Sequence, residues 1–411
     1  MKTNIFIILF LFFGIIKAQN LKVLFDKSIE NYEKANYEEF ESLTVEALKI
    51  HPSHPSLLYN YAIAKTKSGE FNQAYHILKN LLSWDDKLDY QKDDDFSALL
   101  DKTNYKDSLL NKVNYYRLKK ETSTVFAELS PKFHIEDFIK DGQNIIFTDV
   151  FSGQVINYNF QNNDYSTLTE LLGSGLAIAK GNDENHAYVT SSVISNYESF
   201  KDEHNEDSFV YKIDLSSGEI LNQIKLSTKA NLGSMVISKD DEIYISNSLE
   251  PEIYVLDSEL NEIIEVIKIP EAFSLQGLDF DEQEKYLYVA DYIKGIAKID
   301  LKNPENRQWI LCPDYLLKGI DGITVLKEQT IIAIQNGSRV KRVLELKIEN
   351  DQVYRVNFLD NNIYGKAEPT NGKLMGNTFY YNAKSQWPFY KKNGQPLNEK
   401  WVTQVIRKIQ F

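Results

Sequence analysis

Between about Phe133 and Phe411 the chain repeats one pattern six times. A short bend of small or acidic residues precedes an apolar strand, and a turn leads into a second apolar strand that often ends in Asp. The clearest copies are Ser234–Asp257, Gln276–Leu301 and Asp321–Ile348, and three weaker copies complete the series. Repeats of about 45 residues built from such strands are typical of a β-propeller, because each sheet alone would expose two apolar faces. The sequence therefore predicts an all-β six-bladed propeller, with its functional site where the loops meet the central channel.

The segment Ser123–Ser130, STVFAELS, is rich in β-branched residues and comes just before the first copy. We expect it to supply the outer strand of the last blade, whose other strands come from the C-terminus. Closing the ring with strands from both ends removes the free sheet edges that an open array would expose. The propeller is therefore predicted over residues 122–411.

The chain has a different periodicity from about Asn20 to Lys120. Apolar residues recur there at intervals of three and four, interrupted at Pro52 and Pro55, which predicts helices. A frame of 34 residues fits two helical hairpins and resembles tetratricopeptide repeats. We expect residues 20–120 to form a tetratricopeptide-like domain that docks a protein partner or caps the ring.

The first eighteen residues, Met1–Ala18, contain one Lys before an apolar run of about twelve residues. Such a run is too short to cross about 30 Å of hydrocarbon and predicts a secretory signal peptide. No later segment is long and apolar enough to span a membrane. The single Cys312 excludes an intrachain disulfide, so the predicted location is the periplasm or exterior of a bacterial cell.

The formal net charge of −13 argues against nucleic acid as a partner, because phosphate binding requires a basic face. Cations and neutral small molecules are the easier ligands for such a chain. No paired His or Cys spacing for zinc and no phosphate-binding glycine loop occurs in the sequence. An acidic insertion, Ile194–Ser208, is predicted to be a lid over the ring or a disordered loop.

The propeller copies resemble the senescence-marker protein/gluconolactonase/luciferin-regenerating-enzyme family over about two-thirds of the chain. The motifs that carry the resemblance are QGLDF at Gln276–Phe280, LYVADYIKGIAKIDL at Leu287–Leu301 and GIDGI at Gly319–Ile323. The resemblance implies a six-bladed propeller with one divalent metal at the channel mouth. Family members that hydrolyse lactones bind it with Glu from the first blade, Asn from the third and fourth, and Asp from the fifth.

Carried over residue by residue, the resemblance assigns Glu136 and Asp321 to the two carboxylate ligands. Gln276 stands at the fourth-blade position, and Gly233 or Ser234 replaces the third-blade amide. Carboxylate and carbonyl oxygens suit Ca²⁺ or another hard divalent cation. Asp321 is also the candidate general base, since a bound cation would polarise a lactone carbonyl and acidify water. The alternative is that Asp321 caps a turn beside Gly322.

Other polar or aromatic residues follow strand ends that are predicted to face the same mouth. A few directional hydrogen bonds and an apolar wall are what a small-molecule pocket requires. The residues predicted to line this pocket are Ser234, Gln335, Asn336, Glu368, Asn382, Gln386 and Trp387.

Two functional hypotheses follow from the sequence. In the first, the propeller binds a small molecule or partner at its channel mouth while the helical repeats dock a protein. In the second, it is a metal-dependent lactone or ester hydrolase that uses Asp321 and Glu136. The fold alone does not choose between them, because propellers host both functions.

Overall fold

The computed structural model describes residues 20–327 and 329–411 and contains two compact units. One is a helical unit, residues 20–118 together with Pro313–Leu316, and the other is a propeller unit, Lys119–Cys312 and Leu317–Phe411. The signal peptide predicted over Met1–Ala18 lies outside the described residues. The predicted fold class, N-terminal helices followed by a six-bladed propeller, is confirmed.

The helical unit consists of six helices and two short 3₁₀ turns at Tyr90–Lys92 and Asp94–Phe96. The helices are α1 (residues 20–33), α2 (Tyr37–Ile50), α3 (Pro55–Lys67), α4 (Phe71–Trp84), α5 (Ser97–Leu100) and α6 (Thr103–Arg117). None of the helices within the described residues is long and apolar enough to cross a bilayer.

The helix boundaries follow the signals in the sequence. Pro55 occupies the first position of α3, where its missing N–H costs nothing, and the His54 side chain accepts a hydrogen bond from the Leu57 N–H. Gly69, at φ +80°, lies between α3 and α4 in a conformation that favours glycine. Ala62 and Ala74 are fully buried, as the apolar periodicity predicts.

The segment Pro313–Leu316 completes the helical unit. The Asn80 side chain donates to the Pro313 carbonyl at 2.8 Å, and the Leu316 N–H donates to Ser83 Oγ at 3.1 Å. Two polar side chains of α4 therefore hold a segment that is distant in sequence.

Among its described residues the propeller unit contains 25 strands, of which the two N-terminal ones are β1 (Lys120–Glu121) and β2 (Thr124–Leu129). Blade 1 comprises β3 (Ile135–Asp141), β4 (Asn144–Asp149), β5 (Gln154–Asn159) and β6 (Asp164–Glu170). Blade 2 comprises β7 (Ser174–Lys180), β8 (His186–Ser192), β9 (Ser208–Asp214) and β10 (Ile220–Lys225). Blade 3 comprises β11 (Ser234–Ile237), β12 (Ile243–Asn247), β13 (Glu252–Leu256) and β14 (Ile263–Lys268).

The remaining three blades follow the same order. Blade 4 comprises β15 (Leu275–Phe280), β16 (Tyr286–Asp291), β17 (Gly295–Asp300) and β18 (Arg307–Trp309). Blade 5 comprises β19 (Ile320–Leu326), β20 (Thr330–Gln335), β21 (Arg342–Glu349) and β22 (Gln352–Asn361). Blade 6 comprises β23 (Gly372–Met375), β24 (Thr378–Asn382) and β25 (Gln404–Gln410).

The ring closes with strands from both ends of the propeller. The segment predicted to be the last outer strand forms β2, which pairs antiparallel with β25 and gives blade 6 its fourth strand. The short β1 pairs with β22 on the outer edge of blade 5. The first strands of successive blades contact one another, and β23 contacts β3. Each blade is thus packed on both sides, with apolar clusters between neighbouring sheets.

The acidic or amide residue that ends the second strand of several repeats fixes the loops on either side. Asp291 accepts hydrogen bonds from four backbone N–H groups, two before β15 and two after β16. Asp149 and Asn247 make equivalent bonds in blades 1 and 3. These backbone donors have no strand partner, so the side chain satisfies groups that burial would otherwise leave unpaired.

The acidic insertion of blade 2 is folded onto its surroundings. The Val193 N–H donates to the Asp207 carbonyl at 2.8 Å, and the Glu198 N–H donates to the Phe151 carbonyl at 2.8 Å. A Cβ placed on Gly394, in the insertion of blade 6, would lie 2.1 Å from the Ser195 carbonyl oxygen. The two insertions therefore pack directly against each other on the side of the ring where β4 ends.

Candidate functional site

The inner strands of blades 1, 4 and 5 each carry a bulge at the same place. In each strand the first residue is paired, the next two residues form the bulge, and regular pairing resumes at the fourth residue. The first residues inside the three bulges are Glu136, Gln276 and Asp321. A β-bulge re-aims side chains beside functional sites, and its repetition places these three at one level of the ring.

Glu136 is held in place by the insertion of blade 6. Its side chain is only 8% exposed, and its Oε2 accepts a hydrogen bond from Trp387 Nε1 at 2.7 Å. Burial raises the pKa of the Glu136 carboxyl well above its ordinary value, and the nearby charge of Asp321 raises it further. The Trp387 hydrogen bond acts in the opposite direction, because it favours the ionised form.

Asp321 is fixed by Asn336, which follows β20. Asn336 Nδ2 donates to Asp321 Oδ2 at 2.5 Å and to the Pro369 carbonyl at 3.0 Å. Tyr292 donates its hydroxyl to Asn336 Oδ1 at 3.0 Å, so the amide orientation is set from both ends. Burial and the charge of Glu368 raise the pKa of Asp321 to about 7.

Glu368 lies just before the inner strand of blade 6 and pairs with Lys341. The Lys341 Nζ to Glu368 Oε2 distance is 2.6 Å, and both side chains are about one-fifth exposed. The Glu368 charge raises the pKa of both Asp321 and Glu136, so the three carboxylates lie close enough to interact. We call Glu136, Asp321 and Glu368 the mouth cluster.

The mouth cluster concentrates negative charge. When all three carboxylates are ionised, their charge of −3 is offset by the positive charge of Lys341, so that these four side chains carry a net charge of −2. Like charges in a site shielded from water raise the free energy of the ionised state, so the cluster is neutralised by protons or by a bound cation. Its chemistry therefore favours positively charged ligands.

Gln276 lies at the same level, beside a gap in blade 3. Its Nε2 donates to Ser274 Oγ at 3.0 Å. A Cβ built on Gly233 would meet only the Gln276 Oε1 atom, at 3.9 Å, so the space beside Gly233 is open. Gly233, at the third-blade position where the family resemblance predicts an amide, therefore has no side chain, and the amide oxygen of Gln276 lies next to the open space.

The other residues predicted to line the pocket are placed differently. Gln335, Asn382 and Gln386 are fully buried, and their amide groups bond mainly to backbone. Asn382 donates to the Ile135 carbonyl at 2.7 Å and so connects blades 6 and 1. Gln386 donates to the Val402 carbonyl at 2.7 Å, while Ser234 lines a different part of the channel. The structure therefore brings together Glu136, Asp321, Asn336, Glu368 and Trp387.

Two residues of the site did not come from sequence reasoning. Tyr292 follows β16 and Lys341 precedes β21, and each reaches a residue of the next blade. The one feature of the sequence that could have identified them is their place after the second strand of a repeat, which is also the feature that predicted Asn336 as a pocket residue.

The oxygen donors fit a hard divalent cation. Glu136 and Asp321 offer carboxylates and Gln276 offers an amide oxygen at one level of the ring. As the side chains stand, no three acidic, histidine or cysteine groups among residues 20–327 and 329–411 are close enough to hold a metal. A metal would therefore require the amide or the open space beside Gly233 as well as the carboxylates.

Comparisons with known proteins give a fold and no family. No protein-family model matches the sequence, and no curated protein matches it. The major Malassezia sympodialis allergen Mala s 1 superimposes with a TM-score of 0.50 at 11% identity, covering 71% of this chain and 96% of that chain. A protein of unknown function from Bacteroides thetaiotaomicron gives 0.50 at 11% identity, covering 71% and 73%.

The likeness to these two structures, each at 11% identity, shows the fold alone. A catalytically inactive virginiamycin B lyase from Staphylococcus aureus covers 70% of this chain and 99% of that chain, with a TM-score of 0.46 at 10% identity. At these identities, the function of this chain has to be argued from its own site.

Proposed function

We propose that the propeller binds a small positively charged ligand at the mouth cluster. The observation that carries the proposal is that Glu136, Asp321 and Glu368 lie close enough for their charges to interact, while Lys341 pairs with Glu368. A cation there replaces the protons that the raised pKa values imply, and its binding free energy comes from relief of carboxylate repulsion.

Two kinds of ligand share this chemistry. A divalent metal ion would use the carboxylate oxygens and Gln276, whereas an organic ammonium would also contact the aromatic ring of Trp387. The Trp387 ring is fixed by its bond to Glu136 and by an edge contact with His134, whose ring centroid is 4.7 Å away. A rigid ring beside carboxylates supports recognition of a cation with an organic body.

The second candidate function is a metal-dependent lactone or ester hydrolase. The observation that favours it is the shared register of Glu136, Gln276 and Asp321 in three separate blades. With a divalent ion bound, the metal would polarise the carbonyl of the substrate. Asp321 suits a general base, since its pKa of about 7 allows proton transfer near neutral pH, and Asn336 orients its carboxylate.

A lactone-hydrolysis assay separates the two candidates. Hydrolysis of gluconolactone that requires added Ca²⁺ and disappears in Asp321→Asn supports the hydrolase. Cation binding without hydrolysis supports a binding protein. Docking of a protein partner by the helical unit, and export of the chain, stay predictions from the sequence.

A thermal-denaturation screen tests the binding proposal. The full chain is heated with CaCl₂, MgCl₂, MnCl₂ or choline chloride, with KCl at matched ionic strength as the control. A ligand at a hundredfold excess over its Kd stabilises the folded state by about 2.7 kcal/mol. That free energy corresponds to roughly 4 °C in Tm for a unit of this size. The proposal predicts such a rise for at least one cation, and its loss in the Glu136→Gln/Asp321→Asn double variant; no rise with any of them would refute it.

A further inference from the structure

The propeller channel contains a cavity of about 580 Å³ that is separate from the mouth cluster. All six inner strands line it, and none of Glu136, Asp321 and Glu368 does. Slightly more than half of its wall surface is apolar, and the larger apolar side chains of the lining are Ile139, Met235, Ile237, Phe280, Leu326 and Leu374. On β3 the lining runs from Asp137 to Lys140, about 10 Å of strand at ~3.3 Å per residue. Its size and its apolar walls are those of a small-molecule site.

One ion pair in this cavity is complete. Lys373 Nζ lies 2.9 Å from Asp137 Oδ2 and also donates to the Ile178 carbonyl. The same Asp137 oxygen accepts the Ile178 N–H at 2.9 Å. Asp137 thus satisfies a backbone donor of the next blade, and Lys373 neutralises its charge.

Asp279 occupies the equivalent place in blade 4 and makes the same two kinds of backbone hydrogen bond as Asp137, but it has no ion pair with Lys373. Its oxygens accept the Phe280 N–H at 2.9 Å and the Val325 N–H at 2.8 Å. Burial raises the pKa of Asp279 to about 7, and the two backbone hydrogen bonds and, to a smaller extent, the charge of Lys373 oppose this only in part. Since Lys373 is already bonded to Asp137, one of the two carboxylates lacks a matching cation.

The lysines at the open end of the cavity do not supply that cation. Lys180 pairs with Asp141 at 3.0 Å, and Lys327 pairs with Glu282 at 3.5 Å. Lys140 Nζ donates to the Gly142 carbonyl at 2.8 Å. Carboxylates thus compensate Lys180 and Lys327, whereas Lys140 keeps its charge and is held on a backbone carbonyl. None of the three lysines is paired with Asp279, which lies deeper in the cavity.

We propose that this cavity binds a medium-chain aliphatic amine, with its ammonium group at Asp279 and its alkyl chain along the apolar walls. The ammonium supplies the counter-charge that Asp279 lacks, in surroundings where a charge–charge contact is worth more than in water. The alkyl chain replaces water against the aliphatic side chains, and each buried methylene adds to the binding free energy. A fatty acid of the same length would bring a like charge to Asp279.

Calorimetric titration of the full chain with three eight-carbon probes tests the proposal. The probes, octylammonium, 1-octanol and octanoate, share one tail and differ in the charge of the head group. The proposal predicts saturable binding of octylammonium with a Kd at least tenfold below those of the other two. Equal affinities, tighter octanoate binding or no saturable binding would overturn it, and the series is also run in the Glu136→Gln/Asp321→Asn background so that the mouth cluster does not account for the preference.

Variants then locate the site. Asp279→Asn is expected to weaken octylammonium binding at least fivefold, whereas Asp240→Asn, at an exposed turn outside the cavity, is the control for loss of one carboxylate. The titrations are repeated in the Glu136→Gln/Asp321→Asn double variant, which lacks two carboxylates of the mouth cluster, and octylammonium binding at Asp279 is expected to remain there. An unchanged affinity in a folded Asp279→Asn variant would contradict the proposal, and if that variant does not fold, the probe series decides.

Discussion

The indole N–H of Trp387 donates to Glu136 Oε2 at 2.7 Å, although the two residues are 251 positions apart. The bond connects the insertion of the last blade to the inner strand of the first. It supports the ionised form of a carboxylate that burial and a neighbouring charge would otherwise keep protonated. The insertion therefore helps to set the charge of the mouth cluster.

Trp387→Phe is expected to weaken cation binding roughly tenfold near pH 7. The substitution keeps an aromatic ring but removes a hydrogen bond to a charged group, worth about 1.5–3 kcal/mol. The pKa of Glu136 then rises, and a proton competes better with the cation. Titration calorimetry from pH 6 to pH 8 checks this, because the deficit is expected to shrink as pH rises.

Trp401→Phe is the matched control for that experiment. The Trp401 indole N–H is buried without a hydrogen-bond partner among the described residues. Its removal therefore takes away no bond, and cation affinity is expected to stay within twofold of the wild type. Equal losses in the two variants would show that Trp387 acts only by packing.

Asp321→Asn is expected to increase stability at pH 8 in the absence of a cation. The folded-state pKa of Asp321 is raised to about 7 from an ordinary value of 3.8, so the folded state binds the proton more tightly than the unfolded state. The stability that this contributes is complete below about pH 4 and is lost as pH rises through 7. Asn removes that loss, and we expect the Tm difference between variant and wild type to grow from pH 5 to pH 8.

Thermal denaturation at pH 5 and pH 8 measures this difference. Asp240→Asn, at an exposed turn, is the control for removal of one negative charge. A Tm difference that is the same at both pH values, or that shrinks as pH rises, would contradict the raised pKa.

Gly337→Ala is expected to destabilise the propeller by about 1–3 kcal/mol and to weaken cation binding. A Cβ at Gly337 would lie 2.6 Å from Gly319 Cα and 2.7 Å from the Tyr292 hydroxyl. The first contact is with backbone, so the strain moves the Asn336 loop and its bond to Asp321. Chemical denaturation measures the loss, with Gly233→Ala as the control at a roomier glycine.

Gly233→Asn is expected to increase Ca²⁺ affinity severalfold. The open space beside Gly233 accepts the side chain, and its amide oxygen adds a donor at the level of Glu136, Gln276 and Asp321. Gly233→Ala fills part of the same space without a donor and is expected to leave affinity unchanged. Equal effects of Asn and Ala on Ca²⁺ binding would argue against a metal at this level.

The sequence predicts the fold well because the propeller repeats its signals. An Asp at the end of the second strand recurs in the sequence of several repeats. In the structure two of these residues, Asp149 and Asp291, accept hydrogen bonds from backbone N–H groups of the neighbouring loops. The strand β2 could be assigned to blade 6 because an unpaired edge needs a partner and its residues favour strands.

The site was predictable only in part, because polar residues at strand ends serve two purposes. Asn336 and Asn382 occupy comparable places in the sequence, yet Asn336 orients a carboxylate while Asn382 donates to the Ile135 carbonyl. Tyr292 and Lys341 reach across blades, and local sequence does not record which neighbour they meet. The charge of Asp279 likewise depends on Lys373, which belongs to another blade.

Titration calorimetry of the full chain with the cation that most raises its Tm tests the central proposal most directly. The account predicts one saturable site per chain, with binding abolished in the Glu136→Gln/Asp321→Asn double variant and retained in Asp279→Asn. Binding of equal affinity in the double variant, or no saturable heat in the wild type, would contradict it.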